Sequence, residues 1–291
     1  MKIYILPVPA VLQPQRQRKI FPVHNMDYGI EQDFLAYLKT SRDVRLTGPD
    51  EAEWHYLPVF WTRWAVNNGL GKRARRKLHK LVRRSIVNDR KTFTVCQHKD
   101  APFIPLGRTV VFLASRKTDR GIDVPLLSSP HRLPRSRPAK KYLASFVGNP
   151  ASHPVRRRMF RKLGGKNGFY LKAGNKGERF FVRKTLQSYA SLCPRGQGGS
   201  SFRFYESLQL GVVPVMIGDR DTRPFKKDIR WGKVSFYVRT PEQAAAVLQK
   251  ADKRKLLAMG RRGARLWKTK LTYRKWCRFA LRELRRRRQG R

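Results

Sequence analysis

The chain has 291 residues, and its 66 lysines and arginines against 19 acidic residues give a formal net charge of +47 at pH 7. A hydrophobic content of 40% excludes a disordered chain, and the length suits two domains. No apolar run approaches the roughly 18 residues that span a bilayer, and the first strand-like segment is too short for a signal peptide. We therefore expect a cytoplasmic protein without a transmembrane segment.

Strand-like apolar runs alternate with amphipathic helical segments along most of the chain. The patterns predict strands at residues 2–6, 92–96, 110–113, 142–147, 169–171, 212–217 and 235–238. They predict helices at 32–39, 72–86, 202–210, 241–249, 255–267 and 271–284. Such alternation is typical of parallel sheets wrapped by helices, so we expect an α/β protein. The stretch 128–138 contains three prolines and no periodicity, which predicts a linker between two α/β domains.

The basic residues concentrate in three clusters. In the helix predicted at 72–86, the apolar positions recur at helical spacing, so we expect an apolar stripe in the core and a solvated basic face. The second cluster lies at 155–162, and the third, 282–291, is expected to be a frayed tail.

A glycine-rich loop precedes the helix predicted at 202–210. Its glycines lack the Cβ atoms that would keep an anion away from backbone N–H groups, and the helix N-terminus adds free donors. These glycines are Gly196, Gly198 and Gly199. Ser200 or Ser201 can cap the helix with a hydroxyl. A loop of this kind is often a plain surface turn, but here it is combined with a charged pair and a buried strand.

The charged pair is Arg203 and Glu206, which lie three residues apart and share one helix face. The apolar run at 212–217 that follows is typical of a strand buried on both faces. Such a unit can hold a diphosphate at the loop and offer a carboxylate to a sugar hydroxyl, which indicates a nucleotide-sugar site. The alternative for Glu206 is a salt bridge with Arg203.

These residues resemble the conserved pattern of the exostosin family of glycosyltransferases. The pattern is met by Pro194, Gly196, Ser200, Ser201, Arg203, Glu206, Gly211, Pro214 and Val215. Further similar segments, in the family's order, lie at 28–31, 47–58, 121–125, 142–149, 155–156 and 224–231. Chance rarely produces such an ordered series. The compact, anchorless form resembles the exostosin-type enzymes of large algal viruses.

The resemblance implies the GT-B architecture, in which two Rossmann-like domains face each other across a cleft. We expect an acceptor-side domain at 1–138, a nucleotide-sugar domain at 139–270, and a C-terminal helix, 271–291, that packs back on the first domain. The implied reaction is inverting, metal-independent transfer from a nucleotide sugar to a glycan hydroxyl. The expected donor is UDP-linked, with UDP-xylose as one candidate, and no other cofactor is expected.

The resemblance and the chemistry together assign the donor contacts. The diphosphate would be held by the helix N-terminus with Arg156, Arg195, Gly198, Gly199, Ser200, Ser201 and Arg203. Glu206 would accept hydrogen bonds from the ribose hydroxyls, as the family implies for this position.

The general base is expected on the first domain, since the acceptor approaches from that side. The candidates are Asp27, Glu31, Asp100, Asp119, His24 and His98, and Asp100 and Glu31 are preferred. Asp100 lies where the family often has His-Asp-Trp-Gly-Pro, although this chain has His98-Lys-Asp-Ala-Pro102, a departure on the acceptor side of the site. Glu31 can equally brace the helix that it opens.

Asp219-Arg-Asp221 spells D-x-D, the usual metal-binding motif of the other glycosyltransferase fold. It follows the strand after the nucleotide loop, so a turn stabilised by aspartate side chains is the favoured interpretation. No metal site is predicted.

The alternative function is that of a nucleic-acid or polyanion-binding protein with an inactive glycosyltransferase-like fold. A charge of +47 predicts salt-sensitive attraction to polyanions, but no nucleic-acid-binding motif accompanies it. Trp54, Trp61 and Trp64 form either a sugar-stacking platform or part of the core.

Overall fold

A computed structural model describes residues 1–18 and 29–289. The chain forms two compact units: unit 1 comprises Met1–Val124 and Tyr273–Arg291, and unit 2 comprises Pro125–Thr272. Each unit contains one sheet whose strand pairs are all parallel. The predicted α/β class is therefore confirmed. The stretch 128–138, predicted as a linker, lies within unit 2.

Unit 1 is built on a six-stranded sheet. Its strands are β1 (Lys2–Ile5), β2 (Arg45–Leu46), β3 (Trp54–Tyr56), β4 (Thr92–Cys96), β5 (Val110–Leu113) and β6 (Ile122–Asp123). Their order is β2-β1-β3-β4-β5-β6. Its first three α-helices are α1 (Ile30–Thr40), α2 (Trp61–Asn68) and α3 (Lys72–Ser85).

The core of unit 1 is rich in aromatic side chains. Trp54, Trp61 and Trp64 are at most 1% exposed, so the alternative of a sugar-stacking platform is wrong and the core alternative is right. Leu78 and Val82 of α3 are also fully buried, whereas the arginines of this helix are exposed. The predicted apolar stripe with a solvated basic face is therefore confirmed.

Unit 2 is built on a five-stranded sheet. Its strands are β7 (Tyr142–Gly148), β8 (Phe169–Ala173), β9 (Ser188–Pro194), β10 (Val213–Ile217) and β11 (Phe236–Val238), in the order β11-β10-β9-β7-β8. Its α-helices are α4 (Pro154–Leu163), α5 (Glu178–Leu186), α6 (Phe202–Gln209), α7 (Pro241–Gln249) and α8 (Lys253–Leu266).

Helices cover both faces of this sheet. Phe146 of β7 and Val215 of β10 belong to a cluster that includes buried residues of α4 and α7. Val147, the neighbour of Phe146 in β7, packs instead with residues of α5 and with Leu210 and Val212, which come just after α6. Because side chains alternate along a strand, α4 and α7 lie on one face and α5 and α6 on the other.

The last helix, α9 (Cys277–Gln289), belongs to unit 1. Leu281 and Leu284 are buried, and the ring of Trp276, just before the helix, lies 5.5 Å from that of Phe34. The prediction that residues 282–291 form a frayed tail is wrong up to residue 289, because this apolar face anchors the helix. No helix within residues 1–18 and 29–289 has the length and apolar content that a bilayer span requires.

Candidate functional site

The strand order of unit 2 defines where a ligand can bind. Numbered along the chain, its strands follow the doubly wound order 2-1-3-4-5, which reverses between β7 and β9. Ligands of open α/β sheets bind beyond the carboxyl ends of the strands at such a reversal. The glycine loop, 195–201, begins directly after β9 and leads into α6, so the topology places it at this point.

Arg156, on α4, reaches the same point. Its guanidinium donates to the backbone carbonyls of Arg195, at 3.1 Å, and of Asn149 and Pro194, each at 3.2 Å. Burial, followed by the nearby charge of Arg203, lowers the pKa of Arg156 to about 10. A Cβ at Gly196 would lie 3.2 Å from the guanidinium, so glycine gives this side chain its room.

Arg203, on α6, is the second cation at the reversal. Its guanidinium donates to the carbonyl of Val147 and lies 4.4 Å from the ring centroid of Phe146. Burial lowers its pKa, and the charge of Glu206 opposes that shift. Arg203 Nε has no hydrogen-bond partner within the described residues.

Neither guanidinium makes an ion pair with a carboxylate in the part of the chain that the structure describes. Two largely desolvated cations that share a site, and have only carbonyls and the faces of aromatic rings as partners, are costly. An anion bound between them would remove that cost, so their arrangement is that of an anion site.

The serines of the loop lie beside these cations. Ser201 occupies the N-cap position of α6 with an extended backbone, but its side chain makes no capping hydrogen bond. Ser200 is 5% exposed, and its buried Oγ has no partner among the described residues. The prediction that a serine hydroxyl caps α6 is therefore not met by the structure. Both hydroxyls can contact a ligand, whereas the N–H of Phe204 already donates to the carbonyl of Ser201 at 3.1 Å.

The loop glycines have different surroundings. The carbonyl of Gly198 accepts from Arg195 Nε at 3.2 Å, and the carbonyl of Gly199 accepts from Thr222 Oγ1 at 3.2 Å. The loop is thus held through its carbonyls, which fixes the direction of its amides. After α6, Gly211 has φ +69°, as expected for the residue that ends a helix.

Glu206 contacts residues that the sequence did not point to. Its Oε1 lies 3.2 Å from His131 Nε2 and 3.4 Å from Ser128 Oγ. His131 Nδ1 lies 2.9 Å from Oε1 of Glu178, the first residue of α5. Burial opposes a charge on His131, but Glu206 and then Glu178 outweigh it and raise the pKa of His131. A histidine with only 2% of its side chain exposed therefore orients the Glu206 carboxylate.

Arg195 and the D-x-D segment form one arrangement. Asp219 pairs with the Arg195 guanidinium, and Asp221 pairs with Arg223 at 2.8 Å and Lys226 at 3.2 Å. These cations hold the pKa of each carboxyl low against the effect of burial. Both carboxylates thus fix the turn around Arg195, which agrees with the favoured interpretation. Within residues 1–18 and 29–289 there is no group of three His, Cys, Asp or Glu that could hold a metal ion.

In unit 1, Glu31 is completely buried. Its carboxylate accepts from the backbone N–H of Thr62 at 3.2 Å, from Thr62 Oγ1 at 2.8 Å and from the backbone N–H of Gln97 at 2.9 Å. Burial raises its pKa to about 7. Glu31 therefore braces the start of α2 and the end of β4. The bracing that was expected for the helix opened by Glu31 is thus seen at α2 and β4 instead, and its role as general base stays a prediction.

Asp100 lies beyond the carboxyl end of β4 with 32% of its side chain exposed. It pairs with Lys99 at 2.8 Å and with Lys117, and these hydrogen bonds keep its pKa low against burial. His98 Nδ1 accepts from the backbone N–H of Asp100 at 3.1 Å, so the loop brings two candidates together. Asp119 is exposed, and Asp27 and His24 lie outside the described residues.

Comparison with known proteins agrees with this geometry. The sequence matches the Exostosin GT47 domain over residues 1–250. A segment of 96 residues is 37% identical to the probable glucuronoxylan glucuronosyltransferase IRX7 of Arabidopsis thaliana, covering 32% of this chain and 20% of the relative. A segment of 153 residues is 24% identical to Exostosin-1 of Drosophila melanogaster, covering 44% of this chain and 20% of the relative. The chain thus spans about a fifth of the length of these relatives.

Solved structures with a similar course of the chain include AviGT4, a glycosyltransferase involved in avilamycin A biosynthesis. It has 13% sequence identity and a TM-score of 0.43, and the match covers 100% of this chain and 98% of that one. TarM has 8% identity and a TM-score of 0.39, over 72% of this chain and 57% of that one.

Two parallel α/β units with doubly wound strand orders define the class, and a ligand is expected where the glycine loop and the cations lie, at the strand-order reversal of unit 2. The chain belongs to the exostosin GT47 family, because the family match covers most of its length. The resemblance predicted from the motifs is thereby confirmed.

Proposed function

We propose that this protein transfers a sugar from a nucleotide-sugar donor, UDP-linked, to a hydroxyl of a glycan acceptor. The observation that carries the proposal is the pair of carboxylate-free guanidinium groups, Arg156 and Arg203, under the glycine loop. A diphosphate supplies the negative charge that this arrangement lacks, and the family match agrees with it.

In this proposal the donor diphosphate lies at the N-terminus of α6. Arg156, Arg195 and Arg203 counter the charge that develops on it as its bond to the anomeric carbon breaks, and Ser200 and Ser201 donate hydrogen bonds. Glu206, oriented by His131, accepts from the ribose hydroxyls. Guanidinium groups and helix amides supply enough positive charge that the proposed transfer uses no metal.

The acceptor hydroxyl attacks the anomeric carbon as the diphosphate leaves, and a general base removes the hydroxyl proton. A single displacement of this kind inverts the anomeric configuration. Asp100 is our proposed base, because its carboxylate is ionised at neutral pH and reaches solvent beyond β4. UDP-xylose stays one candidate among the UDP-linked donors.

The first test is UDP binding measured by thermal unfolding. Ligand at a hundred times its Kd stabilises a protein by about 2.7 kcal/mol, so we expect millimolar UDP to raise Tm by several degrees, roughly 2–4 °C per kcal/mol. Glu206→Ala should remove most of this rise. The control is Glu51→Gln, which removes an exposed carboxylate of unit 1. This variant should show the same rise of Tm with UDP as the unmodified chain.

A donor screen completes the test. Hydrolysis of a panel of UDP- and GDP-sugars by the purified chain identifies the sugar, and the expected result is a UDP-sugar. The absence of any Tm rise with UDP, together with no donor hydrolysis, would reject the proposal. Salt-sensitive DNA binding without donor hydrolysis would favour the polyanion-binding alternative that the charge of +47 supports.

A further inference from the structure

A pocket of unit 2 opens at the carboxyl edge of the sheet, beside the reversal point. It has a volume of about 820 Å³. Arg195, Gly218 and Arg239, each the first residue after one of the neighbouring strands β9, β10 and β11, contribute to its wall. Residues of α4 and the start of α7 supply most of the rest, so the pocket lies on the α4–α7 face of the sheet. We call it the arginine pocket.

Positive charge dominates this pocket. Five arginines line it, namely Arg157, Arg158, Arg161, Arg195 and Arg239. Among the described residues that form its wall, Asp219 alone is acidic. Asp219 is already paired with Arg195, and Arg158 pairs with Glu242 at 2.9 Å. The other three arginines have no carboxylate partner within residues 1–18 and 29–289. The N-termini of α4 and α7 add further positive potential.

The way these arginines are placed is unfavourable without an anion. Arg157 and Arg161 lie one helical turn apart on α4, and like charges at this spacing repel. Burial is the main cause that lowers the pKa of His153, and the charge of Arg195 adds to it while Asp219 opposes it. Arg157, Arg161 and Arg239 are exposed, so their guanidinium groups are accessible to an anion that enters this concave space.

The wall also indicates which kind of anion fits. One amide at the start of each helix is already used, since Val155 N donates to His153 Nδ1 at 3.2 Å and Gln243 N donates to Thr240 Oγ1 at 3.3 Å. Recognition therefore falls to guanidinium groups, whose planar fork matches the oxygens of phosphate. No aromatic residue other than His153 lines the pocket, so it offers no broad surface for stacking a nucleotide base.

We propose that the arginine pocket binds a small, multiply charged phosphate group of the size of a diphosphate, separately from the nucleotide. The phosphate can be free or can belong to a larger phosphorylated molecule. The proposal goes beyond the transfer reaction and does not depend on it, because Arg161 and Arg239 are not among the residues assigned to the nucleotide. Only Arg195 is common to both sites.

The test is calorimetric binding of pyrophosphate and of tripolyphosphate to the full chain, in about 0.3 M NaCl to screen general attraction. Saturating UDP is included so that the glycine-loop site does not contribute. Arg161→Gln combined with Arg239→Gln should weaken pyrophosphate binding by about tenfold or more. The matched control is Arg76→Gln with Arg84→Gln, which removes two exposed charges from α3 and should change binding by less than about twofold.

Equal weakening in the two double variants would overturn the proposal, since it would show a general charge effect only. A sulfated heparin oligosaccharide is measured as a second ligand in the same way. We expect it to bind weakly or not at all. If it loses binding in the pocket variant while pyrophosphate does not, the phosphate assignment is wrong. The Tm rise with UDP should persist in the pocket variant. Its absence in every variant would reject the nucleotide site but leave the phosphate result standing.

Discussion

The two units share a strand order, and they differ in what fills the point where that order reverses. In unit 1 the reversal lies between β1 and β3, and Leu6 and Leu57, which follow these strands, are buried in one apolar cluster. In unit 2 the same point is occupied by the guanidinium groups of Arg156 and Arg203. The topology alone therefore does not make a ligand site. Leucine side chains fill the reversal point of unit 1, whereas the cations at the reversal point of unit 2 favour a bound anion.

Buried charge follows the same contrast. The buried carboxylate of unit 1, Glu31, is surrounded by donors from Thr62 and Gln97, so its hydrogen-bonding capacity is used within the fold. The partly buried cations of unit 2, Arg156 and Arg203, are matched only by carbonyls and aromatic rings. We infer that the buried charge of unit 1 stabilises the fold, whereas the cations of unit 2 serve to bind a ligand.

The largest expected effect tests whether unit 1 also takes part in the reaction, which would limit the contrast between a structural unit 1 and a ligand-binding unit 2. Asp100→Asn should lower the rate of transfer from the selected donor by about 10²- to 10⁴-fold, the usual contribution of a general base. The Tm rise with UDP should stay unchanged, because Asp100 is not part of the nucleotide site. Transfer rate and UDP-dependent Tm are measured on the same preparations.

Glu31→Gln is the matched control for this substitution, since it also neutralises one carboxylate of unit 1. It should keep most of the transfer activity, because the amide oxygen can still accept from Thr62 and Gln97. If Glu31→Gln abolishes transfer and Asp100→Asn does not, the roles assigned to the two carboxylates are exchanged.

A smaller effect sharpens the contrast at the reversal point of unit 2. Arg156→Lys keeps the charge but loses the fork that reaches three carbonyls, so UDP affinity should fall by about tenfold. Titration calorimetry with UDP measures this change. Arg157→Lys, at the next and exposed position of α4, should leave UDP affinity unaltered, and an equal loss there would mean that general charge holds the nucleotide.

Much of this site was predictable because its chemistry is contiguous in the sequence. The loop, α6 and β10 occupy one stretch, so glycine, serine, arginine and glutamate could be assigned before the structure. Helix α7 was predicted with its observed bounds, since Thr240 and Gln243 form a capping box around Pro241. The signal in each case is local.

The parts that escaped prediction depend on contacts that are distant in sequence. His131 lies in the proline-rich stretch that was predicted as a linker, and only the fold brings it to Glu206, 75 positions further along the chain. Helix α4 was missed because its basic residues outnumber the two that are buried, Met159 and Leu163. Strand β3 has three residues, too few for a period to be recognised.

The smallest expected effect concerns the pH dependence of stability, and it tests how His131 holds Glu206. Because Glu206 and Glu178 raise the pKa of His131 in the fold despite burial, the folded state binds this proton more tightly than the unfolded chain. The resulting stabilisation is complete below the ordinary value of 6.5 and is lost as pH rises through the raised pKa. His131→Gln should therefore flatten the decline of Tm above pH 6.5, measured by calorimetry at constant ionic strength.

His153 provides a control of opposite sign, since burial and then Arg195 lower its pKa and it costs stability as pH falls through 6.5. A Tm decline that persists in His131→Gln would show that the contact with Glu206 involves a neutral ring, and the carboxylate would then need another group to orient it.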